Sequence, residues 1–446
     1  MTQQTGGMPR HKNGGFTSSF GFIAACVGSA VGLGNIWMFP YRLGQNGGAA
    51  FLIPYLLFVF LFGWVGLSAE FAVGRRSRTG TLGSYEYCFA KRGCRKAGTM
   101  LGWIPLVGSL GIAIGYAVII AWVLRSLFGS LTGFIFSGEA AAYFSQAAGS
   151  FGSLGWHVLV VALVTAALLT GVIKGIEKTS KVLMPLFFLL FLVLAVRVAL
   201  LPGAAEGYKF LFIPKWESLL RADTWVMAMG QAFFSLSITG SGMIVYGAYL
   251  DKGVDIPKAS VRTAVFDTIA ALLSALAIMP AVFAFGIDAT SGPSLMFITI
   301  PNIFRQIPWG NLFAALFFLS VAFAGITSLI NMFEAVTESW QKKFNLSRTA
   351  SVLLCALLTL GIGIFLEAEP NVGAWMDFIS ITVVPVGAVL GAFSIYYILG
   401  YREIKKELEL GRLKPVPGCF GAIGKYVYVP LTVAVLILGF LYHGIG

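Results

Sequence analysis

FGFIAACVGSAVGLGNIWMFPY, from Phe20 to Tyr41, is long enough to cross a bilayer, yet glycines cluster at its centre. Gly28, Gly32 and Gly34 surround Ser29 and Asn35, and Pro40 closes the segment. Glycine inside a helix costs roughly 1 kcal/mol relative to alanine. In hydrocarbon, a backbone group freed from the helix finds no water and must have another partner. A glycine-rich stretch at mid-membrane therefore predicts a broken helix whose carbonyls and amides face a ligand. Discontinuous helices of this kind mark the binding sites of transporters.

Composition places the chain in a membrane. It is 57% hydrophobic and 11% charged, with a mean hydropathy of +0.84, whereas soluble domains carry about 25% charged residues. A bilayer-crossing helix needs about 20 mostly apolar residues. Such stretches fall near 20–43, 48–73, 99–128, 155–173, 179–201, 223–250, 258–285, 308–341, 348–366, 373–400 and 424–445, which predicts eleven spans. Residues 1–15 are polar and glycine-rich, with Arg10, His11 and Lys12. They read as a cytoplasmic N-terminal segment, not a cleavable signal peptide.

The net charge of +12 raises the question of nucleic acid, but its distribution answers it. Arg75, Arg76, Arg78, Lys91, Arg92, Arg95 and Lys96 follow the second span, and Lys174, Lys178 and Lys181 the fourth. Lys252, Lys258 and Arg262, then Lys342, Lys343 and Arg348, then Arg402, Lys405, Lys406, Arg412 and Lys414 continue the series. These lie in every second connection, the positive-inside pattern. It predicts a multi-pass protein of the cell membrane with a cytoplasmic N-terminus and Gly446 outside. Its partners are the lipid bilayer and a small molecule, with no nucleic acid; oligomeric state stays open.

Catalysis finds no support. P-loop, nucleophile-elbow and HExxH patterns are absent, and His11, His157 and His443 stand alone. Cys26, Cys88, Cys94, Cys355 and Cys419 lack metal-type spacing and read as structural or incidental thiols.

The sixth span, WVMAMGQAFFSLSITGSGMIVYGAYL, is also interrupted, by the small residues from Ser237 to Gly242. Either interruption alone fits close helix packing. Both together, five spans apart, fit an inverted repeat with its site at the bilayer midplane.

GSAVGLGNIWMFPY followed by QNGGAAFLIPY at Gln45–Tyr55 resembles the first two spans of the neurotransmitter:sodium symporters. WIPLV at 103–107, GQAFFSLS at 230–237 and FAGITS at 323–328 extend the resemblance over nearly the whole chain. It implies an all-α polytopic membrane protein of the leucine-transporter fold. Spans 1–5 (16–201) would form one repeat, spans 6–10 (223–400) its inverted partner, and 424–445 an eleventh span. The implied function is sodium-coupled symport of amino acids or amines by alternating access. A channel or sensor on the same fold is the rival; it would fail to concentrate its substrate.

Sodium is a hard cation that prefers carbonyl and hydroxyl oxygens. By resemblance, one ion is held by Ala30, Asn35, Ser235 and Asp267, with the substrate carboxylate completing the shell. A second uses the carbonyls of Gly28, Val31 and Ala324 and the hydroxyls of Thr327 and Ser328. Each ion moving inward gains about 2.3 kcal/mol per 100 mV.

The monoamine branch of the family has a carboxylic acid where this chain has Gly32, so the substrate is expected to bring its own carboxylate. That group would meet the Leu33 and Gly34 amides and the Tyr116 hydroxyl, and the amino group carbonyls near Ala30, Phe234 and Thr239. Val31, Ile112, Tyr116, Phe234, Ser237, Gly240, Ser328 and Met332 would surround the side chain. Gly240 stands where relatives can carry phenylalanine, which predicts an enlarged apolar subsite and hydrophobic or aromatic α-amino acids.

An outer gate in this family pairs an arginine of the first span with an aspartate of the tenth. Asp377 supplies the aspartate; Met38 occupies the arginine position, so Arg42, one turn further out, is the candidate partner. For the inner gate, Arg10 and Lys12 are candidates, with Glu334 or Glu338 opposite. Gly175 and Pro185 match a family pattern tied to unwinding of the inner fifth span. Asp267 is an ionisable residue mid-membrane, functional by default. Chloride-dependent relatives generally have asparagine there, so Asp267 predicts chloride-independent transport and a group able to carry a proton back.

Overall fold

The structure, a computed structural model, describes residues 15–286 and 295–444; Arg10 and Lys12 lie outside them. Helices joined by turns make up the described residues, with no strand among them.

The first span is broken as its glycines require. Ser18 caps the inner half by accepting the Gly21 amide at 3.0 Å, the usual service of an N-cap hydroxyl. Helix Ser19–Ala30 then stops where Val31 turns extended, at φ −69° and ψ 109°. Gly34–Gln45 resumes at a bend of 60°. At the break, a side chain on Gly32 would lie 3.0 Å from the Ser328 hydroxyl and 3.4 Å from that of Tyr116. The sixth span is broken likewise, into Ala222–Ser235 and Gly242–Ala248. Between them Ser237 and Gly240 take left-handed conformations, at φ +52° and +71°.

The remaining spans are Ala49–Ser77, Arg95–Thr132, Gly175–Ala199, Ile256–Ala284, Gly310–Phe344, Arg348–Leu366, Glu369–Leu408 and Cys419–Leu441, with a shorter fourth helix, Leu154–Leu169. Eleven predicted spans thus have eleven helical counterparts. The third and eighth helices pack together along their length, and the inner half of the first lies against the fifth, seventh and eighth. Leu56, Phe60, Leu189, Leu192, Leu357 and Phe365 stay exposed on the outer faces, as a hydrocarbon solvent permits.

The fifth span contains a wide turn, Val172–Glu177, before its regular part begins. Glycine is needed there, since a Cβ on Gly175 would strike the Ala167 carbonyl at 1.8 Å. The cysteines are all free, with Cys94 and Cys419 exposed and the other three buried.

Candidate functional site

A cavity lies where the two broken helices face each other. Ser29, Ala30, Gly32, Gly34 and Asn35 line it from the first span, and Phe234, Ser235, Ser237, Ile238 and Thr239 from the sixth. Ile112 and Tyr116 of the third span and Ser328 and Met332 of the eighth complete the inner wall. Thus Ala30, Gly34, Ile112, Tyr116, Phe234, Ser237, Thr239, Ser328 and Met332 gather as expected from sequence.

At one side of the cavity a carboxylate is held by neutral donors. Asp267 is fully buried. Ser235 Oγ donates to its Oδ2 at 2.6 Å and Asn35 Nδ2 to its Oδ1 at 2.8 Å. The Asn35 side chain also reaches Ser235 Oγ at 3.0 Å, and its own carbonyl accepts the Gly32 amide at 3.0 Å. The loosened turn of the first span, the sixth span and the seventh are thereby joined through one carboxylate. Charge and oxygen donors, without sulfur or imidazole, suit a hard cation.

A second oxygen cluster forms between the first and eighth spans. Ser328 Oγ lies 3.2, 3.2 and 3.1 Å from the carbonyls of Gly28, Ser29 and Val31. Thr327 donates to Phe323 and Ala324 carbonyls at 2.9 and 3.0 Å. Its hydroxyl would be 3.2 Å from a Cβ on Gly28, so a side chain there would crowd the cluster. Gly28, Val31, Ala324, Thr327 and Ser328 therefore meet in one place. Among the described residues no three of His, Cys, Asp and Glu do.

One end of the cavity is built from backbone. The Tyr116 hydroxyl lies beside the Leu33 and Gly34 main chain, and Gln231 Nε2 donates to the Gly34 carbonyl at 3.2 Å. The Phe234 ring packs where a Gly34 side chain would be, 3.1 Å from its would-be Cβ. Among the described residues no acidic side chain lines this end, where Gly32 and Gly34 present only main chain.

Three sequence expectations need correction. Val31, expected in the side-chain wall, is buried and does not line the cavity. Gly240 does not enlarge the pocket. Its Cβ direction points at the Gly387 carbonyl, 2.5 Å away, and the Tyr85 hydroxyl, 2.7 Å away. Its amide donates to Glu70 Oε1 at 2.8 Å, so the residue serves the backbone bend.

Arg42 and Asp377, the third, are not brought together. Arg42 Nη2 reaches the Gly444 carbonyl at 3.5 Å, and its guanidinium lies over the Tyr41 ring. Asp377 is exposed. The tenth span instead turns Trp375 and Met376 inward, with Trp375 Nε1 on the Gly111 carbonyl at 2.8 Å and Met376 sulfur against Gly115. Glu334, expected at the inner gate, is engaged by other partners. Arg348 grips it with both terminal nitrogens at 3.0 and 2.8 Å, and Tyr249 donates to it at 2.5 Å. Glu338 accepts the Gly80 amide at 2.7 Å. At the base of the first span, Thr17 gives its amide and hydroxyl to Glu177 at 2.7 and 2.6 Å.

Residues that sequence reading overlooked include Glu70, whose charge within the second span was the available signal, and a set on the tenth and eleventh spans. Ser380, Ile381, Val384, Pro385, Val435 and Gly439 line the same cavity. Nothing in their apolar sequences marks the inward face.

Known proteins resemble this chain throughout. The profile described as the sodium:neurotransmitter symporter family matches residues 13–145 and 135–443. The uncharacterized sodium-dependent transporter YhdH of Bacillus subtilis is 34% identical over 412 residues, covering 89% of this chain and 90% of its own. An uncharacterized sodium-dependent transporter of Methanocaldococcus jannaschii is 29% identical, covering 88% and 84%. Among solved structures, MhsT in complex with L-phenylalanine matches with a TM-score of 0.84 and 31% identity, over 96% of this chain and 99% of that one. A profile and relatives that span the whole bundle, including both broken helices and their oxygen clusters, place the chain in the sodium:neurotransmitter symporter family, a family of membrane transporters rather than enzymes.

Proposed function

We propose that this sodium-dependent transporter imports hydrophobic or aromatic α-amino acids together with two sodium ions by alternating access. The observation that carries the reading is the cavity between the broken helices, which offers main-chain amides and the Tyr116 hydroxyl but no acid at Gly32. An amine without a carboxylate would find no acid at the Gly32 position, whereas an α-amino acid brings its own carboxylate. Its carboxylate would face Leu33, Gly34 and Tyr116 and complete the shell of the ion held by Ala30, Asn35, Ser235 and Asp267. Its ammonium would meet the carbonyls near Ala30, Phe234 and Thr239. The second ion belongs among Gly28, Val31, Ala324, Thr327 and Ser328. The complex of the related MhsT with L-phenylalanine supports the apolar side-chain class.

Residues 16–201 and 223–400 act as inverted halves around this site, with the N-terminus cytoplasmic and the C-terminus outside. Asp267 supplies fixed negative charge beside the first ion, so chloride is not required, and it is the group that would carry a proton on the return. The decisive experiment is reconstitution into vesicles and uptake of an amino-acid panel under a sodium gradient. Saturable uptake above the external concentration supports symport. Flux that never concentrates substrate, or that ignores sodium, sinks it.

A further inference from the structure

The eleventh span stands outside both repeats, yet it presents a defined stripe to the protein. Tyr428, Thr432, Val435 and Gly439 are buried, while Val433, Ile437, Phe440 and Leu441 are exposed. The buried positions recur every three or four residues, the spacing of one helix face. The outer end of that stripe reaches the cavity: Val435 and Gly439 line it together with Ala30, Tyr116 and Ser328. Ile381, Val384 and Pro385 of the tenth span and Phe233 of the sixth line the same cavity.

Two features make this arm a place for an apolar group. First, its hydroxyl is already spent: Ser380 Oγ donates to the Met376 carbonyl at 2.6 Å, leaving hydrocarbon walls. Second, Gly439 is not a packing glycine. A Cβ on Gly421 or Gly424 of the same span would strike Tyr401 or Tyr396, at 2.4 and 2.1 Å. A Cβ on Gly439 would meet only the Ile381 carbonyl, at 3.9 Å. Its backbone is ordinary helix, so neither conformation nor crossing demands glycine there. What glycine leaves at this position is room.

We propose that the arm between the tenth and eleventh spans is a side-chain subsite, and that Gly439 and Val435 set the largest substrate side chain the transporter accepts. The inference rests on the amino-acid reading above. With carboxylate and ammonium anchored at the broken helices, an aryl or long alkyl group extends along Phe233 toward Val435 and Gly439. Small amino acids end short of the arm and do not sense it.

The test compares uptake of alanine, leucine, phenylalanine and tryptophan by vesicles carrying wild-type protein, Gly439→Ala, Gly439→Leu or Val435→Ala. Filling the arm should lower kcat/KM for tryptophan and phenylalanine relative to that for alanine by about tenfold or more, graded from Ala to Leu. Val435→Ala should shift preference the opposite way. Sodium-dependent thermal stabilisation of each variant confirms an intact fold. If Gly439→Leu changes alanine and tryptophan by the same factor, or changes neither, the subsite assignment is overturned. Wild-type protein that takes up no amino acid under a sodium gradient overturns the functional reading instead.

Discussion

Ser237 Oγ in the sixth span donates to the Ser29 carbonyl in the first at 3.1 Å, across 208 residues of sequence. The sixth span thereby helps to serve the break in the first: the freed Ser29 carbonyl faces the Ser237 hydroxyl as well as that of Ser328. Ser237 holds a left-handed backbone to do so, which costs about 1–2 kcal/mol for a residue with a Cβ. Strain of this sort concentrates at ligand clamps. Ser237→Ala should keep the strain and lose the bond, weakening substrate binding by about 1 kcal/mol, or roughly fivefold. Ser237→Gly should relieve the strain and raise the melting temperature while binding remains weak. Substrate titration and thermal melts on both variants separate the two contributions.

Gly240→Phe should abolish uptake of every amino acid alike, because the side chain would enter the Gly387 carbonyl at a positive φ. Even Gly240→Ala should lower thermal stability by about 1–3 kcal/mol. A variant that folds normally and merely loses large substrates would restore Gly240 to the pocket.

The Glu334–Arg348 pair is buried on the acid's side and ties the eighth and ninth spans to Tyr249 of the sixth. Removing one member of a buried pair typically costs about 3–5 kcal/mol, whereas replacing both by apolar groups can be nearly neutral. Glu334→Leu should therefore lower the melting temperature far more than Glu334→Leu combined with Arg348→Leu. Equal losses would mean that the pair contributes nothing beyond packing.

Replacement of chloride by gluconate should leave initial uptake rates unchanged. Asp267→Asn should lower sodium affinity steeply, since the carboxylate is the charge shared by Ser235 and Asn35. The same variant should lose any stimulation of uptake by an acidic vesicle interior, and it should respond to added chloride if anion and carboxylate are interchangeable. Rates that collapse without chloride in the wild type would refute the assignment.

Glu86, on the short helix Thr81–Ala90 beyond the second span, gives a stability prediction with a definite pH sign. Partial burial pushes its carboxyl up, but hydrogen bonds from Lys343, Thr99 and Arg95 outweigh that and bring it down from 4.5 to about 2. A depressed carboxylate stabilises the fold above its unfolded pKa, and the contribution is lost as pH falls through the folded value. Glu86→Gln should therefore melt lower than wild type at pH 7. The gap should close as pH drops from 4.5 toward about 2.

Sequence disclosed the fold through two interruptions, because glycine and serine runs at mid-membrane have few other physical meanings. It also disclosed the two oxygen clusters, since Asn35, Asp267, Thr327 and Ser328 are polar groups where hydrocarbon would otherwise be. It failed at Gly240, where the same absence of a side chain fits either an open pocket or a tight backbone crossing. Only the position of the Gly387 carbonyl decides between them. Arg42 and Asp377 failed because a helical face cannot be phased from a span that is apolar all round. Val435 and Gly439 were invisible for the same reason: lipid and cavity both accept hydrocarbon.

The Ser328 hydroxyl has one proton to offer to three carbonyls. Since the Ser29 carbonyl also takes the Ser237 hydroxyl, at least one of the Gly28 and Val31 carbonyls goes without the Ser328 proton, and the cluster is electron-rich without carrying formal charge. A cation arriving there does not have to displace a side chain. The hydroxyl needs only to rotate, turning its lone pairs inward. In the two-ion reading proposed above, filling the second cage would then ask for a turned hydroxyl and not for a displaced helix.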